Sequence, residues 1–228
     1  MAVMGILIAI DGVDASGKQT QTQLLIKRLK DEGKDVRGVS FPAYDNQSST
    51  LVKMYLNGDF GKNPEDVNAY ATSTLFAADR FATYRTDWGN DYNSGKIIIA
   101  DRYVSSNLIH QASKIADEKE KEKFLVWLDD LEYNIYGLPK PNVTIFLDMP
   151  PEYGAKLMQS RLNKATGEDT KDIHESDISY LEKSYNNAVF VSKKFGWKHI
   201  SCVRNGKIKS VEEIHEEIYS AINELISR

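Results

Sequence analysis

The sequence predicts an α/β fold in which a five-stranded parallel sheet lies between two layers of helices. Three observations predict this class: short apolar runs rich in isoleucine and valine, amphipathic stretches that separate the runs, and polar residues directly after the runs. Apolar runs of this kind are typical of strands that a parallel sheet buries on both faces. We expect one domain over residues 1–228, because no repeat, linker or low-complexity tract interrupts the alternation.

The apolar runs place the predicted strands at residues 6–10, 35–41, 96–100, 142–147 and 198–203. Amphipathic patterns predict helices at residues 21–32, 49–56, 63–90, 103–113, 117–136, 153–162, 175–195 and 211–226. The residues N-P-E at 63–65 are typical of a helix start, since proline suits the first turn and acidic side chains favour the positive end of the helix dipole. Strands that alternate with helices predict right-handed crossovers.

The composition is typical of a soluble globular protein, with 41% apolar and 27% charged residues. A net charge of −4 argues against binding to nucleic acid or to an acidic membrane surface, so an anionic ligand must be held by locally placed lysines and arginines. The single cysteine, Cys202, cannot form an internal disulfide, and no apolar run approaches the ~18 residues of a membrane span. We therefore predict a cytoplasmic protein without a signal peptide.

A glycine-rich segment, G-V-D-A-S-G-K at residues 12–18, follows the first predicted strand and precedes a helix. This order is the setting of a phosphate loop, in which main-chain N–H groups and the helix N-terminus bind phosphate and Lys18 adds a positive charge. The alternative is a glycine-rich turn that binds nothing. The predicted residues of this phosphate site are Gly12, Val13, Asp14, Ala15, Ser16, Gly17, Lys18, Gln19 and Thr20, and Arg204 is a candidate on the base side of a bound nucleotide.

Polar side chains follow several of the predicted strands, and ligands of parallel sheets bind beyond these strand ends. Asp14 follows the first strand, and Asp101 and Arg102 follow the third. Asp101 stands where an acid can hold Mg²⁺ or its waters, although a helix N-cap is the alternative. Arg102 offers a fork of N–H donors that matches a phosphate.

Phe76 and Arg80 are four residues apart on one predicted helix and therefore share a face. A ring beside a guanidinium can stack on a planar base and bind its carbonyl edge. Taken alone, the pair favours a core ring and a surface salt bridge over a binding site.

Five segments together resemble the thymidylate kinases, a family of the nucleoside monophosphate kinase superfamily: G-V-D-A-S-G-K-Q-T, F-P-A-Y, Y-A-T-S-T-L-F-A-A-D-R, D-R-Y-V-S-S-N and L-P-K-P-N-V-T-I-F-L-D. The resemblance implies the P-loop NTPase fold with a short mobile lid at about residues 163–175. It also implies transfer of the γ-phosphoryl group of ATP to dTMP in dTTP synthesis, with Mg²⁺ as cofactor, and a homodimer.

By the same resemblance, Lys18 would bind the ATP phosphates, and Asp14 would lie between Mg²⁺, the sugar hydroxyl and the acceptor phosphate. Phe76 would stack on thymine, Arg80 would bond its 4-carbonyl, and Arg102 would bind the dTMP phosphate. Asp14 and Asp101 are the implied metal residues. The further implied substrate-binding residues are Phe41, Pro42, Tyr44, Tyr103, Ser106, Asn107, His110, Gln111 and Tyr185.

The chain departs from the family pattern in two places. Relatives commonly carry an arginine in the phosphate loop or in a lid motif D-R-x-E, whereas this chain has Ala15 in the loop and D-I-H-E at residues 172–175. The expected cations are then Arg161, Lys164 or Lys171, and Arg161 and Lys171 join Lys18, Asp14 and Arg102 in the predicted catalytic set. His110 occupies a position where several relatives carry a tyrosine that excludes ribose.

Two other functions stay open on the sequence. A kinase for another nucleoside monophosphate or for a deoxynucleoside would share most of these motifs. A nucleotide-binding homologue with little catalysis is the second alternative, because Gln19 stands where serine or threonine usually holds Mg²⁺.

Overall fold

The computed structural model describes residues 4–162 and 178–227, and a parallel sheet forms its centre. The strands of this sheet are β1 (Ile6–Gly12), β2 (Val36–Ser40), β3 (Ile97–Asp101), β4 (Val143–Asp148) and β5 (Lys198–Ser201). They lie in the order β2-β3-β1-β4-β5, and each neighbouring pair is parallel. The predicted five-stranded parallel sheet is therefore confirmed.

Helices cover both faces of the sheet. They are α1 (Lys18–Asp31), α2 (Thr50–Leu56), α3 (Ala69–Thr83), α4 (Gly89–Asn93), α5 (Val104–His110), α6 (Glu118–Asp129), α7 (Pro151–Leu162), α8 (Ile178–Lys194) and α9 (Val211–Ile226). In the part of the chain that the model describes, none of these helices is long and apolar enough to cross a membrane.

The two sides of β1 pack into different cores. Ile8 and Ile10 belong to the cluster that α1 and α9 cover, whereas Leu7 and Ala9 face the aromatic cluster around Trp88. Because both faces are buried, the strand is apolar along its length until it reaches its C-terminal end. There the register pairs Ile10 with Asp101 of β3, so the polar ends of β1 and β3 lie side by side.

The single helix predicted over residues 63–90 is wrong in its first part, because residues 67–68 interrupt it; from Ala69 the chain stays helical to Asn93. Pro64–Asp66 forms only a 3₁₀ turn, and the side chain of Asn68 then accepts the Ala71 N–H at 2.9 Å, which caps α3 as a separate helix. Tyr84–Trp88 forms one turn of π-helix between α3 and α4. The helix predicted over residues 117–136 likewise ends in a π-helical turn, Asp130–Ile135.

The fifth strand is shorter than predicted. It ends at Ser201, and a small antiparallel hairpin follows, made of β6 (Val203–Arg204) and β7 (Lys207–Ile208). Asn205 and Gly206 connect the two strands with φ angles of 53° and 73°. Asn-Gly with both residues in the left-handed region is the preferred two-residue hairpin connection, since its twist matches that of the paired strands.

Candidate functional site

The glycine-rich segment forms the turn between β1 and α1. Gly17 precedes the helix in the left-handed region at φ 87°. A Cβ atom on Gly12 would lie 2.7 Å from the carbonyl oxygen of Leu147 and 2.8 Å from Ser16 Oγ, so the approach of this turn to β4 requires glycine. Asp14, Ala15, Gln19 and Thr20 lie in the same turn or in the first turn of α1.

Lys18 bends back over this turn and is buried. Its Nζ donates to the carbonyl oxygens of Gly12 at 2.9 Å and Val13 at 2.7 Å, and lies 3.5 Å from Ser16 Oγ. Burial and the nearby charge of Arg102 lower the pKa of Lys18 to about 8. Main-chain N–H groups, a helix N-terminus and an adjacent ammonium group together form a site suited to phosphate.

A cavity lies beside this turn, with Asp14 of the turn in its wall. Its wall contains one residue that sequence reasoning did not single out, Leu56. The other lining residues were all predicted to bind the substrate: Asp14, Phe41, Pro42, Tyr44, Phe76, Arg80, Arg102, Ser106, Asn107, His110 and Gln111.

Two of the predicted substrate residues lie outside this cavity. Tyr103 is fully buried, its ring packs beside Phe41 at 5.7 Å, and its hydroxyl donates to the carbonyl oxygen of Pro139 at 3.0 Å. Tyr185 donates instead to Oδ1 of Asp148, the last residue of β4, at 2.9 Å. Contact of these two residues with the substrate stays a prediction, and in the structure each hydroxyl donates to a partner that does not line this cavity.

Asp14 and Arg102 join the phosphate turn to this cavity. Arg102 Nη2 donates to Asp14 Oδ1 at 2.5 Å, and Nη1 lies 3.3 Å from His110 Nε2. Burial alone would raise the pKa of Asp14, but Arg102 and Lys18 outweigh it and hold that pKa well below its usual range. Arg102 has a φ of 65°, an unusual value for a residue other than glycine, and such outliers cluster at functional sites.

Arg80, another lining residue of the cavity, belongs to a buried ion pair. Arg80 Nε and Nη2 donate to the two carboxylate oxygens of Glu132 at 2.6 and 2.5 Å, and both side chains are almost completely buried. Breaking such a pair from one side is strongly destabilising, because it leaves an uncompensated buried charge. Phe76 lies one helical turn before Arg80 and meets the Tyr55 ring edge-on at 6.2 Å.

Sequence reasoning missed three acids that organise the site. Glu132 is one, and Asp79 is a second: its carboxylate accepts the Ala43 N–H at 2.8 Å and so holds the loop after β2. The third, Asp11, is fully buried and accepts from Ser105 Oγ at 2.7 Å and from Ser106 Oγ at 2.8 Å. For Asp11 alone a sequence signal existed, since it is an acid directly after the apolar residues I-L-I-A-I.

Asp14 and Asp101 are the residues that could hold a divalent cation. Burial raises the pKa of Asp101 against the opposing charges of Arg102 and Lys18. Within residues 4–162 and 178–227, no group of three or more histidine, cysteine or acidic side chains could hold a metal ion on its own. Mg²⁺ fits such a sparse donor set, because it keeps several waters and uses one or two carboxylates with phosphate oxygens.

Some predicted residues are not tested by this geometry. Lys164, Lys171 and the lid of residues 163–175 lie outside the described residues, as does the side chain of Arg161. Arg204 lies on β6, where it forms an ion pair with Glu213 of α9, and its place beside adenine stays a prediction.

Comparison with known proteins gives concordant results. A family model described as thymidylate kinase matches residues 10–218. The thymidylate kinase of Mycobacterium tuberculosis is 30% identical over 181 residues, which cover 78% of this chain and 81% of that protein. That of Schizosaccharomyces pombe is 26% identical over 219 residues, or 96% of this chain and 92% of that protein. Among solved structures, thymidylate kinase from Candida albicans shares the fold with a TM-score of 0.69 at 20% identity, covering 99% of this chain and 94% of that one.

Proposed function

The chain belongs to the thymidylate kinase family, and from this premise we propose that it transfers the γ-phosphoryl group of ATP to dTMP, giving dTDP and ADP. The observation that carries the proposal is the adjacency of two anion sites. Lys18 and the main-chain turn form one of them, and Arg102 lines the cavity beside it, with Asp14 in contact with Arg102. Phosphoryl transfer requires two phosphates in line and their charge neutralised, and it needs little covalent help from the protein.

The residues of the site then have the following roles. The turn and Lys18 hold the ATP phosphates, and Arg102 holds the phosphate of dTMP through its fork of donors. Asp14 keeps Arg102 in place and stays ionised at neutral pH. At the base end of the cavity, which is where we place the thymine of dTMP, Phe76 packs against the ring. Arg80 donates to the 4-carbonyl of thymine, and Asn107 binds its N3.

Mg²⁺ is the proposed cofactor, held by Asp14 and Asp101. When bound, it would supply positive charge that neutralises the charge on the transferred phosphate. We propose that Arg161 and Lys171 supply the further positive charge that relatives take from an arginine in the phosphate loop or lid.

We also propose a cytoplasmic location. Cys202 is a free thiol buried in the core, and burial raises the pKa of this thiol to about 12.

Turnover of four acceptors tests this function directly: dTMP, dUMP, UMP and thymidine, each with ATP and Mg²⁺. We expect dTMP to give the highest kcat/KM. Thymidine should be phosphorylated poorly, since it has no phosphate for Arg102 to bind. Equal or better turnover of another acceptor would reject dTMP as the substrate. Tight dTMP binding without ADP formation would indicate a homologue with little catalysis.

We further propose a homodimer, supported by apolar side chains that the folded chain leaves exposed on α3 and around α6. Phe81 is 39% exposed, Val126 69% and Ile135 67%, and Phe81 packs beside the Tyr136 ring at 5.0 Å. Large exposed apolar side chains such as these are found at interfaces between subunits.

The double substitution Phe81→Glu and Val126→Glu is expected to give a monomer, because it places two charges in an interface core. Light scattering should report about twice the chain mass of 25.8 kDa for the unaltered protein and one chain mass for the variant. Leu51→Glu, on α2, is the matched control, since Leu51 is also exposed, at 49%. A monomeric unaltered protein would contradict the proposal.

A further inference from the structure

The buried carboxylate of Glu132 bonds to both Arg80 and Asn107, the two residues proposed to bind the edge of the base. Glu132 lies on the π-helical turn after α6 and is 0% exposed. Besides its two bonds to Arg80, it accepts a third from Asn107 Nδ2 at 3.1 Å. The proposed function uses Arg80 and Asn107 and gives Glu132 no task.

The contacts of Asn107 determine how its amide is oriented. Its Nδ2 donates to Glu132 Oε1 and to the carbonyl oxygen of Ser73, both at 3.1 Å. The reverse orientation would place the amide oxygen against two acceptors, which is unfavourable. Both Nδ2 hydrogens are therefore used, and Oδ1 is the polar atom of Asn107 that a ligand in the cavity can reach.

Arg80 is oriented by the same carboxylate. Glu132 takes two of its five N–H donors in a fork, which holds the guanidinium plane, and Arg80 also lines the cavity. The base end of the cavity thus offers donors from Arg80 next to an acceptor from Asn107. A 4-keto pyrimidine, with a carbonyl oxygen beside an N3–H, matches this pattern, whereas a 4-amino pyrimidine has the opposite one.

We propose that Glu132 is a positioning residue that sets the specificity of the cavity for 4-keto over 4-amino pyrimidines, by orienting Arg80 and Asn107 together. The proposal rests on the proposed function, in that the cavity is taken to bind a pyrimidine nucleotide. Specificity follows because a site built to hydrogen-bond one pattern of donors and acceptors leaves buried polar groups unpaired when the reversed pattern is bound.

Glu132→Gln tests this role. The neutral glutamine amide replaces the charged acceptor that Arg80 and Asn107 share, so the Ser73 carbonyl alone fixes the Asn107 amide and the Arg80 guanidinium is held less firmly. We expect the ratio of kcat/KM for dTMP to that for dCMP to fall by at least ~10-fold, while KM for ATP stays within about twofold. Asp130→Asn is the matched control: it removes an exposed charge from the same turn and should leave the ratio unchanged.

Glu132→Asp provides a second test of the same role, in case Glu132→Gln does not fold. Glu132→Asp keeps the buried negative charge beside Arg80 but shortens its reach to Asn107, and we expect the same fall in ratio, with melting midpoints recorded for both variants. The unaltered protein should also bind N3-methyl-dTMP at least ~10-fold more weakly than dTMP, because Asn107 Oδ1 then has no N–H to accept.

The outcomes separate the two proposals. An unchanged ratio in a folded variant, or equal binding of dTMP and its N3-methyl form, would overturn the role of Glu132. Should the unaltered protein fail to phosphorylate dTMP, the kinase proposal falls. The inference would still be supported if calorimetry showed a preference for dTMP over dCMP that Glu132→Gln abolishes.

Discussion

Lys18→Met is expected to lower kcat by at least ~100-fold, the size of effect seen when one preorganised donor to transition-state charge is removed. Lys18 Nζ is held by two main-chain carbonyls of the phosphate turn, at 2.9 and 2.7 Å, so its charge is already in position before ATP binds. Methionine keeps the length and apolar stem of the side chain but removes the charge. Steady-state kinetics at saturating ATP and dTMP measure the loss, and calorimetry should show dTMP binding changed by less than about threefold.

Lys27→Met is the matched control, since Lys27 lies on the same helix with 74% of its side chain exposed and forms an ion pair with Asp31, one helical turn away. This variant should keep full activity, because an exposed pair of this spacing contributes little. If Lys18→Met retained more than about a tenth of the unaltered kcat, the assignment of residues 12–18 as the ATP phosphate site would be wrong.

The pH profile offers a second readout of Lys18. Burial, followed by the nearby Arg102, lowers the pKa of Lys18 to about 8 in the free protein. The ammonium form, which binds phosphate, is therefore present below that pH and is lost as pH rises through it. We expect kcat/KM for ATP to fall above about pH 8 in the unaltered protein, and the profile of Lys18→Met to lack this limb.

The parts of the site that follow from chain connectivity could be predicted from the sequence. Lys18 and Asp14 lie in a motif whose spacing makes sense only as a strand, a turn and a helix. Asp101 and Arg102 follow a buried strand, and parallel sheets bring such strand ends to one edge. No knowledge of side-chain packing was needed for these residues.

Residues whose role depends on tertiary partners could not be found in this way. Glu132 lies in a helical stretch with many charged neighbours, and only the π-helical turn and the buried Arg80 explain why this acid points inward. Tyr103 and Tyr185 are a different case: the family resemblance implied contact with the substrate, and that contact stays a prediction, since their hydroxyls bond to Pro139 and Asp148. Periodicity predicts which face of an element is apolar, and it carries no information about which polar groups meet across elements.

Arg102→Ala is expected to weaken dTMP binding by about 100-fold, because charge-assisted and forked hydrogen bonds to a phosphate are among the strongest that a protein makes. The same substitution should leave thymidine binding within about threefold, since thymidine has no phosphate. Alanine and arginine both carry a Cβ atom, so the unusual backbone at φ 65° is equally strained in the two proteins. Calorimetry with the two ligands, in the absence of ATP, measures the difference.

Arg37→Ala supplies the control for loss of a guanidinium. Arg37 lies on β2 and pairs with Asp87 and Asp91, and it is absent from the lining of the cavity. Loss of the Arg37 side chain should change the binding of neither dTMP nor thymidine. An equal loss of dTMP and thymidine binding in Arg102→Ala would mean that Arg102 only supports the cavity wall through Asp14 and His110. Unchanged dTMP binding would contradict the whole arrangement, because phosphoryl transfer requires the acceptor phosphate to be held beside the Lys18 turn.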